Sequence, residues 1–304
     1  MGLKTDFCGI GMKNPLVLAS GILGINAGLL KRVEKCGAGA VTTKSIGPEF
    51  RAGHDNPTVL PWECGIINAV GLPSAGIENA REEIAEIKKE LKIPLIVSIY
   101  GSKKEEFVKV ASAVKEFNPD MIEINISCPN SEKHGQLFSF EPESAFQIVS
   151  AVKNAAGKIP VMPKLTPNTH KIVEVAKACK EAGADAICAI NTVQGMMINI
   201  EARKPVLCFG KGGISGPAIR PVAVRCIYDI YREVDLPILG VGGVTTGRDA
   251  IELIEAGASA VGIGSAVYYR GPEVFSAVAK EMEAWMKENC VSSIKELIGV
   301  AHDK

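Results

Sequence analysis

Short apolar runs alternate with longer amphipathic stretches along almost the whole chain. A typical apolar run is 95–99, and the stretch before it, 74–91, places Ile77, Ala80 and Ile84 at helical spacing. A short run rich in β-branched residues predicts a buried strand, whereas apolar positions three or four apart predict a helix that buries one face. The pattern therefore predicts a repeated strand–helix order, which is typical of a parallel sheet covered by helices.

Eight strands are predicted, and each is followed by a helical stretch without linker composition between the units. The strands cover 16–20, 40–45, 95–99, 121–124, 161–165, 186–191, 238–243 and 260–265. A helix-ending glycine, a turn of small residues and a strand start occur together at 36–41, 182–187 and 256–261. These units predict an α/β fold, a (β/α)8 TIM barrel that forms a single domain over residues 1–304.

Helix starts are predicted from side chains that can accept a hydrogen bond from the first turn. Asn26 and Thr246 are suitable N-caps, and Asn168 is expected to cap the helix that follows the fifth strand. Ser102 and Glu105 have the spacing of a capping box.

Parts of the chain depart from the regular pattern. Residues 47–76 and 192–217 are too long for bare connections, so we expect two long loop insertions over the C-terminal face of the barrel. Pro163 has no backbone N–H, and it predicts an irregular fifth strand. An additional C-terminal helix is expected from about Ser292.

Composition limits the possible partners. The formal net charge is zero and only 5% of the residues are aromatic, so neither a nucleic-acid partner nor a membrane surface is expected. No apolar run is long enough to predict a membrane span. The chain has nine cysteines without a C-x-x-C pair, which favours reduced thiols in a cytoplasmic protein and argues against a metal or iron–sulfur site.

The stretch 125–130 is the most distinctive chemical feature of the chain. It follows a predicted strand and places Cys128 between Asn125 and Asn130. Each carboxamide offers donors and an acceptor, which suits a small planar ligand with several hydrogen-bonding edges. The alternative is a strand end with a turn, in which Cys128 is only a small apolar side chain.

Polar residues are also expected where other strands end, which is where barrel enzymes place their catalytic groups. Lys44 and Lys164 end apolar strands, and a buried ammonium group is costly unless an anion lies near it. For either lysine alone, an exposed or ion-paired side chain is the simpler interpretation. Glycines at the ends of the seventh and eighth strands predict a phosphate site, although close packing of a helix would also explain them.

Several short motifs occur in order along the chain. They are Lys44-Ser45, Asn68-Ala69-Val70-Gly71-Leu72, Asn125-Ile126-Ser127-Cys128-Pro129-Asn130, Lys164, Asn191-Thr192, Gly213-Ile214-Ser215-Gly216-Pro217, Gly242-Gly243 and Gly264-Ser265. With these motifs the chain resembles the dihydroorotate dehydrogenase family over nearly its full length. The Cys before Pro129 resembles the class 1 enzymes, and 68–72 resembles class 1B, the catalytic subunits of an NAD-linked pair.

The resemblance implies oxidation of dihydroorotate to orotate in pyrimidine biosynthesis, with one FMN per chain. Cys128 would take a proton from one ring carbon, FMN would accept a hydride from its neighbour, and Lys44 would bridge flavin and substrate, so the expected catalytic residues are Cys128 and Lys44. The expected cofactor-binding residues are Ser20, Lys44, Ser45, Ser98, Asn125, Lys164, Ile190, Gly216, Gly242, Gly243, Gly264 and Ser265. The expected substrate-binding residues are Lys44, Asn68, Ala69, Val70, Gly71, Leu72, Asn125, Asn130, Asn191 and Thr192.

The resemblance also implies a partner subunit that carries FAD and an iron–sulfur cluster, with this chain forming a homodimer within a heterotetramer. No G-x-G-x-x-G motif for NAD occurs in the chain, which agrees with an exit for electrons through a partner. The alternatives are a class 1A-like enzyme that uses fumarate, a lyase that forms a Schiff base on Lys164 or Lys44, and a phosphate-binding barrel without catalysis.

Overall fold

The computed structural model describes residues 2–127, 138 and 140–302. The expected site residues Cys128 and Asn130 lie outside the described residues.

Short strands occur along the whole described chain. In chain order they are β1 (Thr5–Phe7), β2 (Ile10–Met12), β3 (Leu16–Leu18), β4 (Ala40–Thr42), β5 (Val59–Trp62), β6 (Gly65–Asn68), β7 (Leu95–Ile99), β8 (Met121–Asn125), β9 (Val161–Leu165), β10 (Ile187–Ala189), β11 (Val193–Met196), β12 (Ile198–Asn199), β13 (Lys204–Pro205), β14 (Lys211–Ser215), β15 (Ile238–Val241) and β16 (Ala260–Ile263).

The helices follow the strands in the predicted alternation. They are α1 (Ala27–Lys35), α2 (Ile77–Glu90), α3 (Lys104–Lys115), α4 (Pro142–Ala156), α5 (Ile172–Glu181), α6 (Arg220–Glu233), α7 (Gly247–Glu255), α8 (Ala266–Arg270) and α9 (Val274–Glu288), with 3-10 turns at Pro217–Ile219 and Ile294–Leu297. None of these helices is both long and apolar enough to cross a bilayer.

Eight of the strands close into a parallel barrel. Their order around the barrel is β3, β4, β7, β8, β9, β10, β15 and β16, and β16 pairs with β3 to complete the ring. Each barrel strand therefore pairs with the barrel strand that comes next in the chain, as strand–helix repeats require. The predicted (β/α)8 TIM barrel is confirmed.

Two apolar layers hold the barrel together. The outer faces of the strands pack against the helices, whereas Val17, Ile96, Met121 and other apolar side chains fill the interior near the start of the strands. The hairpin β1–β2, which the hydrophobic pattern did not predict, adds side chains such as Phe7 to the interior cluster. The N-terminal end of the barrel is thus packed with side chains, which leaves the opposite end available for a site.

The two insertions are not simple loops, because they pair with each other. β5 and β6 from the first insertion and β11 and β14 from the second form one antiparallel sheet in the order β11-β14-β6-β5. The two long insertions are present as predicted, and both contain strands that the sequence analysis did not predict. Those in the second insertion are short and rich in glycine, and their partners are far away in the sequence, so local patterns could not reveal them.

The capping predictions have mixed outcomes. Asn26 accepts the N–H of Leu29 at the start of α1, as predicted. Ser102 donates its hydroxyl to Glu106 rather than forming a capping box with Glu105, because α3 begins at Lys104.

Three other local predictions are wrong. The side-chain amide of Asn168 donates to Thr166 and to the backbone of Thr192 instead of capping α5, which begins at Ile172. β9 is a regular strand through Pro163. The expected helix from Ser292 is a single 3-10 turn, and α9 is the last long helix.

The predicted N-cap Thr246 is confirmed, and it belongs to a polar cluster around the buried Asp249 at the start of α7. Asp249 accepts the backbone N–H groups of Thr245 and Thr246 and also pairs with Arg220. Burial would raise the pKa of Asp249, but the hydrogen bonds from Thr245 and Thr246 outweigh it and hold that pKa below its ordinary value.

We expect Asp249→Asn to lower the free energy of unfolding at pH 7 by about 1–3 kcal/mol, because the backbone N–H groups of Thr245 and Thr246 lose a charged acceptor. The pKa of Asp249 is lower in the folded than in the unfolded protein. Its stabilisation is therefore complete above about pH 4 and is lost as the pH falls through the folded pKa. Urea unfolding between pH 7 and pH 3 measures the difference, which should shrink on acidification. Asp229→Asn, which breaks an exposed ion pair with Arg225, is the control; an equal loss at every pH would contradict the prediction.

Candidate active site

A cavity of about 310 Å3 lies at the C-terminal end of the barrel, where the insertion sheet borders it. Most of the predicted site residues line it. They are Ser20, Lys44, Ser45, Asn68, Val70, Gly71, Leu72, Asn125, Lys164, Ile190, Asn191, Thr192, Gly216, Gly242, Gly243, Gly264 and Ser265. Residues from distant parts of the chain meet here because the C-terminal ends of parallel strands share one edge of the barrel.

Among the predicted residues that the structure describes, two do not line the cavity. Ser98 is fully buried behind Ser45, and Ala69 packs in a small apolar cluster with Ile67 and Leu207. Their expected roles in direct cofactor or substrate binding stay predictions. Each lies next to residues that line the cavity and can hold those residues in place.

Sequence reasoning missed several lining residues. They are Ala19, Gly21, Ile22, Val59, Ile66, Ser215, Ile219, Val241, Val244, Gly262 and Tyr268. Most are apolar, and apolar residues at a cavity look the same in a sequence as apolar residues in a core. Val59 and Tyr268 are 49% and 62% exposed, so they give the cavity an apolar rim.

A chain of hydrogen bonds runs inward from the cavity wall. Ser45 Oγ lies 2.9 Å from Ser98 Oγ, and Ser98 donates to Glu123 Oε1 at 2.8 Å. Ser20 Oγ lies 3.3 Å from Ser45 Oγ and donates its hydroxyl hydrogen to the carbonyl of Thr43 at 2.9 Å. Glu123 is only 1% exposed and lies in the middle of β8. The sequence analysis did not select Glu123, although a carboxylate inside an apolar strand indicates a buried group that needs polar partners.

The same chain continues along the wall through two of the predicted amides. Asn125 Nδ2 donates to Ser45 Oγ at 3.2 Å, and Asn125 Oδ1 accepts the hydroxyl of Ser127 at 3.2 Å. Asn191 Nδ2 donates to Ser127 Oγ at 2.7 Å, and Asn191 Oδ1 accepts the backbone N–H of Thr192 at 2.7 Å. The ends of β4, β7, β8 and β10 are thereby connected through side chains alone.

Lys164 is the cation of this wall. It lies on β9 between Asn125 and Cys188 of the neighbouring strands, and its Nζ is 3.9 Å from Glu123 Oε2. Burial lowers the pKa of Lys164, but the negative charge of Glu123 more than offsets it and raises that pKa above its ordinary value. Lys164 is therefore an ammonium group at neutral pH, which suits an anion and opposes attack on a carbonyl as a neutral amine.

Asn68 enters the cavity from the insertion sheet. It ends β6 and pairs in register with Gly213 of β14, whose carbonyl accepts its side-chain amide at 3.2 Å. The turn that follows is held by His54, which contacts the carbonyl of Ala69 at 3.1 Å and stacks on Phe209. Pairing of the two insertions therefore determines where this amide lies.

The glycines at the ends of β15 and β16 differ in what requires them. A Cβ on Gly243 would lie 2.6 Å from the Cβ of Arg220, so close packing of α6 explains this glycine. A Cβ on Gly264 would meet nothing nearer than the Cβ of Ala19, at 3.7 Å. Packing does not require Gly264, and its missing side chain leaves space in the cavity.

A second cavity, of about 480 Å3, lies on the other side of Lys44, where Phe50, Arg51 and residues of α2 line it. Of the predicted site residues within the described part of the chain, Lys44 and Ser45 alone line it. The polar wall belongs to the smaller cavity, which we therefore take as the candidate active site.

Known proteins similar to this chain match it over nearly its full length. A family model described as dihydroorotate dehydrogenase matches residues 2–286. Proteins named dihydroorotate dehydrogenase B (NAD(+)), catalytic subunit, from Methanocaldococcus jannaschii and Methanothermobacter thermautotrophicus are both 47% identical to it; the alignments cover 99% of this chain and 98% and 99% of the relatives. A protein of the same name from Pyrococcus furiosus is 45% identical over 99% of each chain. The chain therefore belongs to the dihydroorotate dehydrogenase family, which confirms the resemblance and the expected class of enzyme, an oxidoreductase.

Proposed function

We propose that this protein is the catalytic subunit of an NAD-linked dihydroorotate dehydrogenase that acts in pyrimidine biosynthesis in the cytoplasm. The observation that carries the proposal is the near full-length similarity to relatives whose names state this role. The polar cavity wall supports it, because hydroxyls, amides and an ammonium group suit a ligand with carbonyl edges and negative charge.

The cofactor of this reaction is FMN, one per chain, which accepts the hydride of the substrate when bound. Three observations support its fit: the open space at Gly264, the buried cation of Lys164, and the apolar rim around Val59 and Tyr268. Ser20, Ser45, Asn125 and the glycines of β15 and β16 would hold it, with Gly243, Gly264 and Ser265 near the phosphate and Lys164 near the pyrimidine edge of the flavin.

The substrate would lie against the amides of the wall. Asn68, Asn125 and Asn191 line one cavity although they come from different elements, and each keeps hydrogen-bonding capacity beyond the bonds already described. Lys44 would hold the carboxylate of dihydroorotate, and Thr192 would assist. Asn130 stays a proposed ligand on the basis of the sequence.

The proton of the substrate would pass to Cys128. Ser127, the residue before it, is buried and held by Asn125 and Asn191, so the chain enters this segment from a fixed point at the cavity. A thiol is a suitable base here because its ordinary pKa, about 8.5, is close to neutral pH.

The electrons would leave through a partner subunit that carries FAD and an iron–sulfur cluster. Within the described ranges 2–127, 138 and 140–302, no group of three or more His, Cys, Asp or Glu residues could hold a metal ion. The partner would bind a homodimer of this chain to form a heterotetramer.

We expect Cys128→Ala to retain FMN and to lower turnover by about 10²–10⁴-fold, because the reaction loses its general base. Cys128→Ser should recover part of the activity only at higher pH, since a hydroxyl is a much weaker acid than a thiol. Dye-coupled oxidation of dihydroorotate between pH 6 and pH 10, with flavin content from absorbance, measures both effects. Wild-type turnover of either variant at pH 7 would remove Cys128 from the mechanism.

We expect Gly264→Val to weaken FMN binding by at least about tenfold while the apoprotein unfolds at the wild-type temperature, because the added atoms enter the cavity and not the packed core. Titration of the apoprotein with FMN, followed by flavin fluorescence, gives the affinity. Gly11→Val is the matched control, since a Cβ there meets nothing within 4 Å and lies on the hairpin at the opposite end of the barrel. Unchanged affinity of Gly264→Val would place the cofactor elsewhere.

We expect the isolated chain to oxidise dihydroorotate with an artificial dye and to reduce NAD poorly. Addition of the electron-transfer subunit should restore NAD reduction, because no dinucleotide-binding motif occurs in this chain. Initial rates with dye, NAD and fumarate, each with and without the partner, test the proposal. Efficient fumarate reduction by the isolated chain, without a gain from the partner, would instead favour the class 1A-like alternative.

A further inference from the structure

The hydrogen-bond chain of the cavity wall has a direction that its members impose on each other. Ser98 has one hydroxyl hydrogen, and it is donated to Glu123. The hydrogen between Ser45 and Ser98 must therefore come from Ser45. Ser45 then has only lone pairs left, so it accepts from Asn125 Nδ2.

The other end of the chain agrees with this direction. The backbone N–H of Thr192 can only donate, so Asn191 must present Oδ1 to it and Nδ2 to Ser127. Ser127 in turn donates to Asn125 Oδ1. Every bond from Asn191 to Glu123 thus points the same way, and the ionised carboxylate is the final acceptor.

This direction decides what the two amides offer a ligand. Asn125 and Asn191 each use one N–H and the carbonyl oxygen within the chain, which leaves the second N–H of each amide without a role in it. A wall ordered in this way favours the carbonyl and carboxylate oxygens of a ligand over its N–H groups.

The same carboxylate is the counter-ion of Lys164. The two side chains are 1% and 7% exposed, with 3.9 Å between Glu123 Oε2 and Lys164 Nζ. An ammonium group buried to this extent loses its proton readily unless an anion lies near it. Among the described residues, Cys188 is the other titratable group whose charge would influence the pKa of Lys164. Burial raises the pKa of the Cys188 thiol, so this thiol is neutral and cannot replace Glu123 as the anion.

We propose that Glu123 is a positioning residue, whose carboxylate keeps Lys164 charged and terminates the one-way hydrogen-bond chain that orients Asn125 and Asn191. This inference rests on the proposed function for its ligands, FMN and orotate. Glu123 itself does not line the cavity and acts through Lys164 and Ser98.

The first test is the variant Glu123→Gln with FMN bound. In the wild type we expect two-electron reduction of the flavin to take up one proton above neutral pH. Without its counter-ion, Lys164 would lose its proton in the oxidised enzyme and regain it on reduction, so the slope of the reduction potential against pH should about double. A slope equal to that of the wild type would overturn the role of Glu123 towards Lys164.

The second test is Ser98→Ala, which interrupts the chain and leaves the ion pair in place. The hydroxyl of Ser45 then loses its acceptor and can turn towards Asn125, so the affinity for orotate should fall about tenfold. The change in flavin absorbance on orotate binding gives the dissociation constant, and the slope of potential against pH should stay that of the wild type. Unchanged orotate affinity would overturn the orienting role.

Thr42→Val is the matched control. Thr42 is a fully buried hydroxyl on β4, two residues from Ala40 of the interior cluster, and its Oγ1 has no hydrogen-bond partner within the described part of the chain. Removing it should change neither the slope nor the affinity, whereas a general effect of altered interior packing would also appear in this variant.

The pair can also be tested without any ligand. Thermal unfolding of the apoprotein should show Glu123→Gln to be less stable than the double variant Glu123→Gln/Lys164→Met. In the single variant the buried Lys164 must either give up its proton or stay charged without an anion, and both cost stability, whereas the double variant has no amine there. The reverse order would overturn the ion pair. If the wild type bound neither FMN nor orotate, the proposed function would be wrong. The comparison of unfolding temperatures between the two variants would still test the ion pair of Glu123 and Lys164. If Glu123→Gln did not fold, Ser98→Ala would decide on the chain.

Discussion

A buried ion pair between Glu123 and Lys164 lies inside the barrel, and the arrangement of the cavity wall depends on it. The interior of an eight-stranded barrel is filled with side chains, so a charged group there has little access to water. Neither ion would be stable at this position without the other, since their side chains are 1% and 7% exposed. The pair places a fixed positive charge at the floor of the cavity and gives the hydroxyls of Ser98 and Ser45 an acceptor to point towards.

The insertion sheet supplies the opposite side of the site. β6 and β14 pair so that Asn68 lies beside Gly213, and the cavity is enclosed between this sheet and the barrel strands. The barrel therefore provides charge and hydroxyl groups from below, whereas the insertions provide an amide and apolar side chains from above. A planar ligand between these two surfaces would contact both, which agrees with a reaction in which a flavin and a substrate ring lie against each other.

Predictions from local patterns were accurate where one element decides the outcome. The eight barrel strands, the N-caps Asn26 and Thr246, and the polar residues at the strand ends all follow from the hydrophobic period and from single side chains. Predictions were wrong where a residue far away in the sequence forms an interaction that replaces the local one. Asn168 has the side chain of an N-cap, but the carbonyl of Thr192, which follows another strand, accepts its amide instead. Pro163 lies in a regular strand because pairing with β8 and β10 holds β9 in the barrel.

The sequence by itself determined the barrel and most of the side chains that line its open end, because parallel strands bring their C-terminal ends to one edge whatever the loops do. It also carried the family motifs at 68–72 and 125–130. Only the tertiary structure decided that the two insertions form one sheet and that Glu123 joins the polar chain. Strand pairing between insertions that are separated by four barrel strands has no local signal. The partner of a buried carboxylate is likewise known only when Ser98 and Lys164 are placed beside it.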